Sequence, residues 1–72
     1  MQEKIDKYFD TIAKNTKIFR EKANLSQEAL AEKVNLSREF INRVENRKEN
    51  LSLNSLLMLS IIFKVSPEDF FE

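Results

Sequence analysis

Apolar residues recur along this 72-residue chain at intervals of three and four, the period of an α-helix buried on one side. Ile5, Tyr8, Phe9, Ile12 and Phe19 fall on one such stripe, with Lys4, Lys7, Lys14, Lys17 and Lys22 mostly off it. A first helix is therefore predicted from about Ile5 to Lys22. Leu30, Ala31 and Val34 repeat the spacing from Ser26 to about Val34, while Gln27, Glu28, Glu32 and Lys33 stay outside. Ile41 and Val44 point inward from a third helix, and Leu53, Leu56, Leu57, Leu59, Ile62 and Phe63 supply the core face of a fourth. Met58 and Ile61 add a second apolar stripe to that fourth helix, and a second stripe needs a second partner.

The starts of the helices are written in a repeated local signal. An apolar residue followed by Ser, with another apolar residue four beyond the Ser, occurs at Leu25-Ser26…Leu30, Leu36-Ser37…Ile41, Leu51-Ser52…Leu56 and Val65-Ser66…Phe70. Each is a serine N-cap with a hydrophobic staple, the apolar pair fixing the angle at which the chain joins the helix. Ser66 is followed by Pro67, Glu68 and Asp69, which place proline at the first helical position and acids over the positive end of the dipole. With the first helix this makes five helices and no strand. Between the second and third, Asn35 is suited to the left-handed conformation that ends a helix, so Val34-Asn35-Leu36-Ser37 can turn the chain sharply. Helices joined by so short a corner cross closely, and Ala31 leaves the room they need.

Composition narrows the class. Seventy-two residues make one small domain, and with no cysteine or histidine neither a disulfide nor a metal can staple it. The N-terminus MQEKIDKYFD scatters charges where a signal peptide would have an apolar run. The apolar run Leu56 to Val65, interrupted by Ser60 and Lys64, is too short to span a bilayer. A soluble, cytoplasmic protein without membrane contact is expected. Net charge is zero, which weighs against nucleic-acid binding, but residues 1–22 hold six basic and four acidic side chains while 51–72 hold one and three. A dipolar domain can present its basic side to DNA.

The stretch SQEALAEKVNLSREFINRVENRK resembles the Xre-type, phage-repressor-like helix-turn-helix family, whose members read close to (S/T)QEELAEKLGVS-x-x-x-I-x-x-(I/V)E-x-GK. The likeness continues through NLSLNSLLMLSIIFKVSPEDFF and covers about residues 12 to 71. The segment ENLSLNSL and the ending DFFE resemble small stand-alone members such as the controller proteins of restriction-modification systems. The resemblance implies an all-α, compact five-helix domain spanning residues 1–72, with residues 1–11 as an N-terminal helical extension, that binds operator DNA as a homodimer. At four places where the family commonly has glycine the chain carries Asn24, Asn35, Arg47 and Lys64. The asparagines suit a left-handed stop; Arg47 and Lys64 must either accept that costly conformation or shift the path.

Candidate chemistry concentrates on the third helix, where Ser37, Arg38, Glu39, Asn42 and Arg43 face outward together. Arginine can donate two hydrogen bonds to O6 and N7 of guanine, and asparagine can pair with N6 and N7 of adenine. By resemblance, Arg38, Glu39 and Asn42 hold base-reading positions and Arg43 reads a base or holds phosphate. Glu39 can accept from cytosine N4, or serve simply as an acid in the first turn. The resemblance assigns phosphate contact to Gln27, Ser37, Asn46, Arg47 and Lys48. Gln27 at a helix N-terminus suits an anion, whereas basic residues in loops are often only solvated. Arg20 and Glu45 resemble a structural ion pair tying the first helix to the third, and Phe40 has a packing role or touches a thymine methyl.

Met58, Ile61, Phe70 and Phe71 are the candidate dimer or partner surface, with burial beneath the N-terminal extension as the rival cover for the fourth helix. Lacking His, Cys and Gly, the chain offers no zinc cluster, phosphate-cradling loop or histidine-assisted nucleophile, so no enzyme activity, metal or cofactor is expected. The resulting reading is a sequence-specific transcriptional regulator, a repressor or autoregulator, that binds a palindromic site on double-stranded DNA as a homodimer. The alternative is a protein-interaction module, or an antitoxin-like partner protein, with the same fold.

Overall fold

The computed structural model describes all 72 residues as four α-helices and a terminal 3₁₀ turn: α1 Gln2–Lys22, α2 Gln27–Val34, α3 Arg38–Glu45, α4 Leu53–Phe63, and the turn Pro67–Phe71. Helix α1 starts three residues before the predicted Ile5. A Gln2–Asp6 side-chain bond of 3.0 Å and an acid at Glu3 support its first turn. The expected fifth helix is instead the 3₁₀ turn. Five residues are too few to repay helix nucleation, and the Asp69 N–H closes an i→i+3 bond on Ser66 C=O at 2.9 Å. The Ser66 N–H donates to the Asp69 carboxylate at 2.9 Å, and the Ser66 hydroxyl donates to Glu68.

Ser26, Ser37 and Ser52 cap α2, α3 and α4, each hydroxyl accepting from the N–H three residues on at 3.0 Å. Every α-helix is also closed by a residue with positive φ, at the C-cap for Asn35 at 56° and Lys64 at 59° and one position beyond it for Asn24 at 58° and Arg47 at 61°. Each is followed by a residue whose N–H reaches back to the helix, Leu25 to Arg20, Leu36 to Ala31, Lys48 to Arg43 and Val65 to Ser60, at 2.8–3.1 Å. At Asn24-Leu25-Ser26, Asn35-Leu36-Ser37 and Lys64-Val65-Ser66 the stop and the next start fuse into one three-residue corner. Its middle apolar residue serves the end of one helix and the staple of the next. For a residue with a β-carbon the left-handed conformation costs about 1–2 kcal/mol, less for asparagine.

The core joins Ile12, Leu30, Ala31, Val34, Ile41, Val44, Leu51, Leu56, Leu59 and Phe70. Phe70 sits fully buried, edge-on to Phe19 with ring centroids 5.2 Å apart and tilted against Phe63 at 6.4 Å. The Asn15 carboxamide clamps this ring's turn by donating to the carbonyls of Phe70 at 2.9 Å and Asp69 at 3.3 Å. Phe70 is therefore core, not partner surface, a correction to the sequence reading; Phe71 remains exposed beside Tyr8.

Helix α4 corrects the reading twice more. Leu56 and Leu59 are buried, but Leu53 and Leu57, expected in the core, are 72% and 40% exposed, and the buried face is completed by Ser55 and Ser60. A helix apolar on all sides gives periodicity no face to choose. The serines enter because their hydroxyls are satisfied locally, Ser60 donating to Leu57 C=O at 2.7 Å and Ser55 accepting from the Ser52 hydroxyl at 3.0 Å. The N-terminal extension is not the cover for Met58 and Ile61. It continues α1 toward the start of α4, where Tyr8 and Phe9 share an apolar groove with Leu51, Leu53, Leu56 and Phe71. Met58 and Ile61 border a different groove, with Lys33, Val34, Asn35 and Ile62.

Because exposed Lys64 pays the left-handed cost without a side-chain partner, Lys64→Gly should stabilise the fold by about 0.5–1 kcal/mol after the added unfolded-state entropy. Thermal unfolding should show a rise in Tm of a few degrees; an unchanged or lower Tm would contradict this account of the corner.

Candidate nucleic-acid interface

Helices α2 and α3 meet at the Asn35 corner, and their inner residues Leu30, Ala31, Val34, Ile41 and Val44 are all buried. That packing turns Arg38, Glu39, Asn42 and Arg43 outward, and all four are exposed. Arg38 and Glu39 occupy the first turn of α3, just beyond the Ser37 cap. Ser37 itself is exposed but spends one hydroxyl lone pair on the Phe40 N–H. Phe40 is half-buried and packs against the core. Arg43 lies 3.6 Å from Glu49, an exposed and readily exchanged ion pair.

Behind this face runs a polar chain that ties it to the core. Arg20 on α1 grips Glu45 on α3 with two bonds, Nε to Oε2 at 2.7 Å and Nη2 to Oε1 at 3.0 Å, and its Nη1 donates to Leu25 C=O at 2.8 Å. The side chains are 10% and 3% exposed. The hydrogen bonds that Arg20 donates to Glu45 hold the guanidinium above its ordinary range against the opposing effect of burial. Arginine thus stays protonated, and this contribution to stability is lost only as pH rises through that raised value. Gln27 extends the chain: its Nε2 donates to Glu45 at 3.1 Å while its Oε1 accepts from Asn42 Nδ2 at 3.3 Å. Asn46 Nδ2 then donates to the Asn42 carbonyl at 2.8 Å.

Of the five residues assigned to phosphate, Ser37, Asn46 and Lys48 are exposed and Gln27 is half-buried between Glu45 and Asn42. Arg47 departs from the expectation. Its Nε meets Asp10 at 2.6 Å, its Nη1 meets Asn50 at 2.8 Å, and its guanidinium carbon stands 5.8 Å from the centre of the Phe9 ring. Neither the inward bonds of Gln27 nor the acids that hold Arg47 are evident from the sequence. Asp6 and Asp10 lie one helical turn apart on α1, the one local sign that a cation faces them.

A helix buried on one side, a tight corner and a second helix with an exposed polar face form a helix-turn-helix, the motif whose second helix lies in the major groove in DNA-binding proteins that use it. The sequence profile of the helix-turn-helix family matches residues 17–70. The chain belongs to that family. It is similar to control protein C.SmaI from Serratia marcescens, 39% identical over 51 residues, which cover 71% of this chain and 61% of that protein. The chain thus spans less than two thirds of that relative's length. The structure is also similar to the restriction-modification controller protein C.AhdI from Aeromonas hydrophila, with a TM-score of 0.80 and 28% identity over 88% of this chain and 96% of that one. The hypothetical transcription factor NHTF from Neisseria shares the fold at a TM-score of 0.84 and 24% identity, over 92% of this chain and 74% of that one. No helix is long and apolar enough to cross a membrane.

Removing one member of the Arg20–Glu45 pair leaves the other buried without its counter-charge. Arg20→Ala or Glu45→Ala should each cost about 3–5 kcal/mol in chemical denaturation, with the double variant well short of the sum. Additive losses would show that the two side chains do not act as one unit.

Proposed function

We propose that this protein is a transcription regulator that recognises double-stranded DNA with α3. The supporting observation is that one exposed face brings Arg38, Glu39, Asn42 and Arg43 together on a helix anchored from behind by the Arg20–Glu45 pair. In this reading Arg38 addresses guanine, and Asn42, whose Nδ2 already bonds Gln27, offers its Oδ1 and remaining N–H to adenine. Glu39 accepts from cytosine, and Arg43 exchanges Glu49 for a base or phosphate. Gln27, Ser37, Asn46 and Lys48 hold the backbone; Arg47 leaves that set because its fork is already occupied. The likeness to controller proteins supports a repressor or autoregulator acting at its own promoter.

A homodimer on a palindromic site is the proposed assembly. Leu53, Leu57 and Ile61 stand one turn apart along α4, and Leu53 and Ile61 are 72% and 75% exposed. A stripe of that kind is a face for a second subunit. A twofold pair would set two α3 helices in successive major grooves about 34 Å apart. The same stripe would seat a different protein if the chain served as an interaction module or antitoxin-like partner. Sedimentation separates the two: Ile61→Asp should turn a dimer into a monomer, whereas a wild-type chain already monomeric in isolation would favour the second reading.

Titration of a preferred duplex and its single-base variants tests the α3 assignment. Arg38→Ala should erase about tenfold or more of discrimination at one base position per half-site, while Lys48→Ala should weaken all duplexes alike and flatten the salt dependence by about one phosphate per subunit. Equal weakening on every sequence by Arg38→Ala would place that side chain on the backbone.

A further inference from the structure

The contact between Arg47 and α1 has no part in the recognition scheme above, and it is an expensive one to keep. Arg47 takes a left-handed backbone at φ 61° directly after α3, flanked by Asn46 and Lys48, the two residues of this loop offered to phosphate. Its side chain does not join them. Asp10 accepts from Nε at 2.6 Å, Asp6 lies 3.8 Å from Nη2, Asn50 accepts from Nη1 at 2.8 Å, and the Phe9 ring stands against the guanidinium. A carboxylate presents the same paired oxygens to an arginine fork that a phosphate does. Tethered on the same chain, it competes at a fixed local concentration whatever the amount of DNA.

We propose that Asp6 and Asp10 on the N-terminal extension are specificity-determining residues that occupy Arg47 in place of DNA phosphate. This rests on the DNA-binding reading and deepens it. A freed Arg47 would add one phosphate contact to every duplex equally, raising affinity without adding any information about sequence. By holding it, the extension lowers the background of non-specific binding and leaves discrimination to Arg38 and Asn42. Asp6 stands one turn from Asp10 and can take over its role, so both acids must be neutralised to release the arginine. Both are at least half exposed at the side chain, so the substitutions leave the core untouched.

The test is fluorescence anisotropy on a mixed-sequence duplex at 50 and 200 mM salt, with the wild type, Asp6→Asn/Asp10→Asn, and the same pair in an Arg47→Met background. The doubly neutralised protein should bind more tightly, with a gain that is larger at 50 mM than at 200 mM by about threefold per bound subunit, or about tenfold for a dimer, the salt signature of one added phosphate contact per subunit. In the Arg47→Met background that gain should largely vanish. An undiminished gain there would overturn the proposal, because it would come only from losing acidic repulsion. Wild-type binding with no gain in the doubly neutralised protein would overturn it too. Absence of binding by every variant at 50 mM would instead remove the DNA reading on which it rests.

Discussion

The Arg20–Glu45 pair is the constraint on which the rest of this small structure depends. It joins the end of α1 to the end of α3, and its third bond, to Leu25 C=O, fixes the corner from which α2 sets out. An ion pair this buried is not cheap stability, since desolvation offsets most of its attraction. Its value lies in geometry. A hydrophobic contact can slide, whereas a guanidinium fork on a carboxylate accepts few arrangements. Gln27 passes that definition outward, holding Glu45 with one end of its carboxamide and Asn42 with the other. Asn42, on the exposed face of α3, is thereby positioned from the core.

The chain builds these close crossings without one glycine. Four residues with β-carbons stand in the left-handed region, and at three of the four helix ends the cost is shared by a compact device in which one apolar residue closes one helix and opens the next. Asn24 and Asn35 tolerate that geometry. Of the two residues ill suited to that backbone, Arg47 is held there by Asp10, Asn50 and Phe9, whereas Lys64 has no side-chain partner. Tertiary contact here overrides local preference.

That balance also decides what could be read beforehand. The caps at Ser26, Ser37 and Ser52, the asparagine stops and the corner between α2 and α3 were legible because their physics spans four or five residues. The outward set on α3 was legible for the same reason, as helical period alone separates it from Ile41 and Val44. The hidden features need partners far along the chain. Phe70 is drawn into the core by Phe19 and clamped by Asn15, more than fifty residues away, so its position beside Phe71 said nothing about its burial. Arg47 looks like any basic loop residue until α1 runs past it. The faces of α4 were not distinguishable while leucines surrounded the whole helix and its buried serines looked like interruptions.

In the proposed function α3 reads DNA sequence, and a chain of zero net charge relies on placed side chains instead of bulk attraction. Selection of binding sequences from a random duplex pool at moderate salt tests this most directly. The account predicts enrichment of two inverted half-sites centred one helical turn apart. A pool that stays random, with weak binding that fades as salt rises, would contradict it.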